Sequence, residues 1–159
     1  MALKVNYPKA GEKAPEFCLK SNRKSRGTFE CFDDFSGKFV VVYFYPKDDT
    51  PGCTIEAKEF SERLPKFDKL GVSVIGISPD SPEKHVDFCN KHFLKLDLLS
   101  DEDHSILGKY GAWDGRKVHR TTYLVAPDGS IAHVWREVKP LGHAEEVLQK
   151  VKEITLSKI

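Results

Sequence analysis

Apolar and polar positions along the chain change period from block to block. The longest apolar run, FVVVYFY at 39–45, is β-branched and aromatic on both faces, as expected of a strand in the middle of a sheet covered by helices. Pro46 ends it. From about Thr50 to Lys69 the period becomes helical, with Ala57, Phe60, Leu64 and Phe67 on one stripe, and Pro65 is expected to kink or split this helix near its end. VSVIGIS at 72–78 reads as the next buried strand, and Ser81-Pro82 starts another helix with a capping hydroxyl and a proline in its first turn. Strand, helix, strand, helix implies parallel strands in a three-layer α/β domain.

The flanking segments are shorter. Residues 1–15, with Pro8, Gly11 and Pro15, read as an irregular arm leading into a short strand at 16–19. SNRKSRGT is a polar turn, read as a solvated loop or a basic patch, and 28–32 is its hairpin return. Residues 96–99 add a short strand and DEDHSILGKY opens a short helix. RTTYLVAP, the Asp128-Gly129 turn and IAHVWRE form an antiparallel hairpin. A last helix, about His143 to Thr155, turns Ala144, Val147, Leu148, Val151 and Ile154 inward over the sheet.

With 159 residues, 40% of them hydrophobic, the chain fits one domain, 1–159, with a real core. Lys and Arg number 25 against 24 Asp and Glu, and a net charge of +1 gives no reason to expect nucleic acid as a partner. The start, MALKVNYPKAGEKAP, has no apolar signal segment, and FVVVYFY is too short to span a bilayer. A cytoplasmic protein with no membrane partner is expected, although the basic stretch from Lys20 to Arg26 leaves a nuclear location open. The cysteines at 18, 31, 53 and 89 are too widely spaced to demand a disulfide framework, so each is an inert core residue or a reactive group.

One of them has an unusual setting. In PKDDTPGCTIEAKEF, Thr50 is placed to cap the helix, with Pro51, Gly52 and Cys53 as its first three residues. A sulfur there meets unpaired backbone N–H groups and the positive end of the helix dipole, both of which stabilise a sulfur anion. Gly52 leaves room for a reactant, and the Thr50 hydroxyl can hydrogen-bond beside it. The competing reading is a cysteine that fills space at the edge of the core. A carbonyl-attacking thiolate would need a histidine base, and His104, His119 and His133 have no spacing that specifies one. Dithiol exchange lacks a Cys-x-x-Cys. A thiolate oxidised by its own substrate to a sulfenic acid remains.

The chain resembles the peroxiredoxins, specifically the bacterioferritin-comigratory or PrxQ type of thiol peroxidase. The resemblance is carried by Val42 to Lys47 (VYFYPK), Asp49 to Thr54 (DTPGCT), Glu56-Ala57, Val74 to Ser78 (VIGIS), Arg120 to Val125 (RTTYLV) and Asp128-Gly129. It implies a thioredoxin fold with an N-terminal extension, a central mixed sheet covered by helices. It also implies that Cys53 is oxidised by hydrogen peroxide or a small alkyl hydroperoxide, with Pro46 shaping the pocket, Thr50 hydrogen-bonding peroxide or sulfur, and Arg120 beside the thiolate. Glu56 is expected to hold Arg120 or backbone groups, or merely to cap the helix. No cofactor or metal is implied, and Cys89-x-x-His92 has no second compact pair to complete a metal site.

Many members of this type carry a second cysteine five residues after the first, where this chain has Lys58. The resemblance therefore points to Cys89 as the resolving thiol, with one or both helices unwinding as the disulfide forms. The stripe Val86, Cys89 and Phe93 equally fits a packed core thiol. Cys18 and Cys31 face each other across the first hairpin as buried residues or a separate redox pair. Recycling would then fall to thioredoxin or a glutaredoxin-like dithiol, and a monomer is implied. A peroxide sensor oxidised at Cys53 without efficient turnover is the alternative. Trp113 to Arg116 reads as a loop near the active edge that either shapes a pocket for an organic hydroperoxide or is an exposed turn.

Overall fold

The structure is a computed structural model that describes residues 6–22 and 29–156. The elements in chain order are β1 (Cys18–Ser21), β2 (Phe29–Cys31), a 3-10 turn (Phe32–Phe35), β3 (Phe39–Phe44), α1 (Pro51–Lys69), β4 (Val72–Ser78), α2 (Pro82–His92), β5 (Asp97–Ser100), α3 (Ser105–Lys109), β6 (Thr121–Val125), β7 (Ile131–Trp135) and α4 (His143–Leu156). One seven-stranded sheet takes the order β2-β1-β5-β4-β3-β6-β7. β3, β4 and β5 run parallel, and β6, β7, β1 and β2 join antiparallel.

The unbroken apolar character of β3 has its reason in this order, since β3 lies between β4 and β6 and is covered on both faces. Val41, Tyr43 and Tyr45 point into the core under α1, α2 and α4, while Val40, Val42 and Phe44 point into a second core with Ile106, Leu107 and Tyr110. The described residues of the N-terminal arm belong to this second layer. Gly11 and Glu12 exchange backbone hydrogen bonds with Ile131 at 2.8 Å each, and Ala14 donates to the Gly129 carbonyl at 2.9 Å.

Three expectations change. The first strand starts at Cys18 rather than at residue 16, and most of the SNRKSRGT turn lies outside the described residues. Pro65 does not split α1, which runs unbroken to Lys69. A proline costs a helix interior about 3 kcal/mol; here Phe60 and Phe67 on either side of it are fully buried and hold the helix against the sheet and α4. The buried stripe of α2 is His85, Phe88 and Cys89, whereas Phe93 is 87% exposed. Phe93 is the helix C-cap in the left-handed region (φ 56°), so the helical repeat has ended before it and its ring turns outward. Among the described residues, no helix is long and apolar enough to cross a membrane.

Candidate active site

The site forms where β3 ends and α1 begins. Thr50 is the N-cap in an extended conformation (φ −97°, ψ 156°), followed by Pro51, Gly52 and Cys53. Helical spacing puts Cys53, Glu56, Ala57 and Phe60 on the buried face, and Cys53 is only 1% exposed. β6 runs antiparallel to β3 with Thr121 opposite Phe44, so Arg120 arrives beside the end of β3 from which the chain enters α1. Its guanidinium bridges the helix: Nη2 donates to Cys53 Sγ at 3.1 Å and Nη1 to Glu56 Oε1 at 3.0 Å. A Cβ at position 52 would lie 2.8 Å from Arg120 Nη2 and 3.3 Å from Pro140, which explains glycine there. The sulfur thus faces the Arg120 guanidinium and the backbone N–H groups at the start of α1.

Glu56 is fully buried, and its Oε2 has no hydrogen-bond partner among the described residues. Burial pushes its carboxyl from the ordinary 4.5 up to about 7, outweighing the opposing pull of Arg120. Below 4.5 the carboxyl is protonated folded or unfolded, and its contribution to stability is fully present; as pH rises through about 7 that contribution is lost. Urea unfolding across this range should show the protein weakening as pH rises, with a flatter profile in Glu56→Gln. An equally steep profile in the variant would show that another group titrates.

Cys89 packs in the same apolar layer as Cys53, 8% exposed, on α2. Burial, and then the nearby Asp48, push its thiol up to about 12, while a hydrogen bond from Asn22 works the other way. Asn22 Nδ2 lies 3.3 Å from Cys89 Sγ and 3.1 Å from the Leu96 carbonyl, and its Oδ1 accepts from Leu98 N at 2.9 Å. The Tyr43 hydroxyl is buried in this layer without a hydrogen-bond partner among the described residues. Its pKa is raised first by burial and then by the nearby charges of Glu56, Cys89, Asp48 and Cys53, so a neutral hydroxyl lies within electrostatic reach of both thiols.

The loop before Cys53 is tied to the helix that carries Cys89. Asp48 Oδ2 meets His85 Nδ1 at 2.6 Å, and its Oδ1 accepts from the Tyr45 hydroxyl at 2.6 Å. Asp49 bonds Lys91 and His92 at 2.7 Å each. Asp49 stood in the DTPGCT motif with no role assigned, and Asp48 and Asn22 carried no sequence signal; His85, Lys91, His92 and Cys89, which they hold, lie more than 30 residues away. Pro46 is half-buried at the mouth of this loop. The Thr50 hydroxyl donates to the Lys47 carbonyl at 2.9 Å and makes no hydrogen bond to sulfur, so it braces the turn. Trp113 packs with the second core and stacks on His104, with ring centroids 3.9 Å apart. Cys18 and Cys31 are joined to each other, while Cys53 and Cys89 are free thiols.

A thioredoxin fold that presents a buried thiol to a guanidinium at a helix start defines a class of thiol enzyme. The AhpC/TSA family pattern matches residues 10–134. Peroxiredoxin Bcp of Bacillus subtilis is 39% identical over 91% of this chain and 96% of its own length. Peroxiredoxin Bcp of Escherichia coli K12 is 40% identical over 94% and 99%. The solved structure of Xanthomonas campestris Peroxiredoxin Q superposes with a TM-score of 0.82 at 35% identity, covering 92% of this chain and 98% of the other. The chain belongs to the AhpC/TSA family and is a peroxiredoxin of the Bcp/PrxQ type, a thiol peroxidase.

Proposed function

We propose that Cys53 is the thiol oxidised by peroxide and Cys89 the thiol that resolves it. The carrying observation is the guanidinium of Arg120, 3.1 Å from the sulfur at the start of α1. The Cys53 thiolate attacks one peroxide oxygen in line with the O–O bond. An S–O bond forms, the O–O bond breaks, and the departing oxygen takes a proton and leaves as water or an alcohol. Arg120 and the backbone N–H groups of the helix start stabilise the charge that grows on oxygen. The sulfenic acid left on Cys53 is then attacked by the Cys89 thiolate, and water leaves as the disulfide forms.

A solved structure of the Xanthomonas campestris Bacterioferritin Comigratory Protein is titled for its alkyl peroxide reduction activity, which supports small alkyl hydroperoxides beside hydrogen peroxide as substrates here. Two further structures from that organism replace one or the other of two cysteines 36 positions apart, the separation of Cys53 and Cys89. The disulfide passes its oxidising equivalents to an external dithiol of the thioredoxin or glutaredoxin kind. The reading is of a single domain, 1–159, working as a monomer in the cytoplasm; Cys53, Glu56, Cys89 and Arg120 all come from one chain.

The test is a disulfide map. One equivalent of hydrogen peroxide, followed by peptide mapping without reductant, should show a Cys53–Cys89 link. Cys89→Ser should stop at Cys53 sulfenic acid, with the first oxidation as fast as in the wild type and turnover with thioredoxin lost. Persistent sulfenic acid in the wild-type protein, with no link to Cys89, would reject the pairing. Steady-state turnover separates the enzyme from a sensor.

A further inference from the structure

The two cysteines that this chemistry leaves unused sit directly opposite each other in the β1–β2 register, with Cα atoms 3.9 Å apart and their sulfurs joined. Cys18 is exposed and Cys31 half-buried, whereas Cys53 and Cys89 lie inside the protein. A thiolate arriving from solvent can therefore reach the Cys18–Cys31 bond.

This bond stands on the strand that leads to Cys89. Leu19 packs into the second core, so the alternation of β1 turns Cys18, Lys20 and Asn22 to the opposite face, where α2 lies. Asn22 holds the Cys89 sulfur there, about 13 Å along the strand from Cys18 at roughly 3.3 Å per residue. Among the described residues, β1 pairs with β5 at Lys20↔Ser100 and Ser21↔Leu99, and its other neighbour is the edge strand β2. Asn22 is anchored to Leu96 and Leu98 by hydrogen bonds of 2.9–3.2 Å, and at the other end of β1 the Cys18–Cys31 bond adds a covalent tie to β2.

We propose that Cys18–Cys31 is a second thiol–disulfide exchange site, open to a solvent-borne dithiol, whose closed form keeps Cys89 held by Asn22 and whose open form lets it go. This rests on the reading of Cys89 as the resolving thiol. Opening transfers two electrons and two protons from the dithiol, which leaves as a disulfide, and gives two protein thiols. Closing uses the enzyme's own substrate class. One thiolate takes an oxygen from a hydroperoxide, releasing an alcohol or water, and the other thiol displaces that oxygen as a second water. Ample dithiol then keeps resolution fast. Once dithiol is exhausted the bond closes, and Cys53 remains longer as sulfenic acid.

Wild-type protein poised in dithiothreitol redox buffers, alkylated and mapped by mass spectrometry, gives forms with Cys18–Cys31 closed or open and Cys53 and Cys89 reduced in both. Each then receives one equivalent of hydrogen peroxide and is quenched in acid at short times. Cys53 should be oxidised at the same rate in both. The Cys53–Cys89 link should form about three- to tenfold faster in the open form, as expected when a crosslink that restrains local opening is lost. The double variant Cys18→Ser/Cys31→Ser should behave as the open form in every buffer. Equal resolution rates in the two wild-type forms overturn the proposal. So does a Cys18–Cys31 bond that stays closed even in excess fully reduced dithiothreitol. Absence of a Cys53–Cys89 link in every form overturns the resolving reading and this inference with it, and is recognised because Cys18–Cys31 still opens and closes.

Discussion

Cys53→Ser should abolish peroxide reduction, lowering the reaction with one equivalent of hydrogen peroxide by a factor of a thousand or more, on the order expected when a thiolate is replaced by an un-ionised hydroxyl. While the Cys18–Cys31 bond is closed, no other sulfur can take its place. Burial pushes the Cys89 thiol up to about 12, and Cys18 and Cys31 are bonded to each other. The fold should survive, because serine is close in size and Arg120 remains available as a hydrogen-bond donor beside it. Peroxide consumption in a stopped-flow instrument and the urea midpoint measured together check both statements. Rapid peroxide loss in the folded variant would place the chemistry elsewhere.

Arg120→Ala should slow the same step by about 10²–10³, the usual loss when one fixed donor to a developing negative charge is removed. The change also leaves Glu56 buried without its guanidinium. That carboxyl already titrates near 7, so it would meet the loss by holding its proton, and stability near neutrality should fall much less than the rate. Arg120→Lys separates charge from geometry. A single ammonium cannot match the fork that reaches Cys53 Sγ at 3.1 Å and Glu56 Oε1 at 3.0 Å together, so lysine should recover only part of the rate. Full recovery by lysine would reduce the role of Arg120 to its charge alone.

Resolution asks more of the fold than the first oxidation does. Cys89 is held by Asn22, and its helix is pinned to the loop before Cys53 through Asp48–His85 and through Asp49 with Lys91 and His92. Cys53 and Cys89 are free thiols in this structure, and in the proposed resolving step these ties loosen as the disulfide forms. Phe93, left exposed by the left-handed end of α2, marks where that helix gives way to the turn before β5.

The sequence by itself determined the elements and the first half of the site. Local period and turn residues placed β3 and β4 at or within a residue of their bounds and started α2 at Pro82, and the Thr-Pro-Gly-Cys order put Cys53 at the third position of a helix. These are properties of neighbouring residues, and side-chain alternation and capping are read over a few positions. Whether Pro65 broke α1, which face of α2 was buried and whether Cys18 and Cys31 were joined depended on packing and register between distant segments. So did the setting of Arg120, which follows from the pairing of β6 with β3, and the hold of Asn22 on Cys89 across 67 residues of chain. Sheet order and register bring such groups together, and those are fixed by burial of the whole chain, which no local window contains.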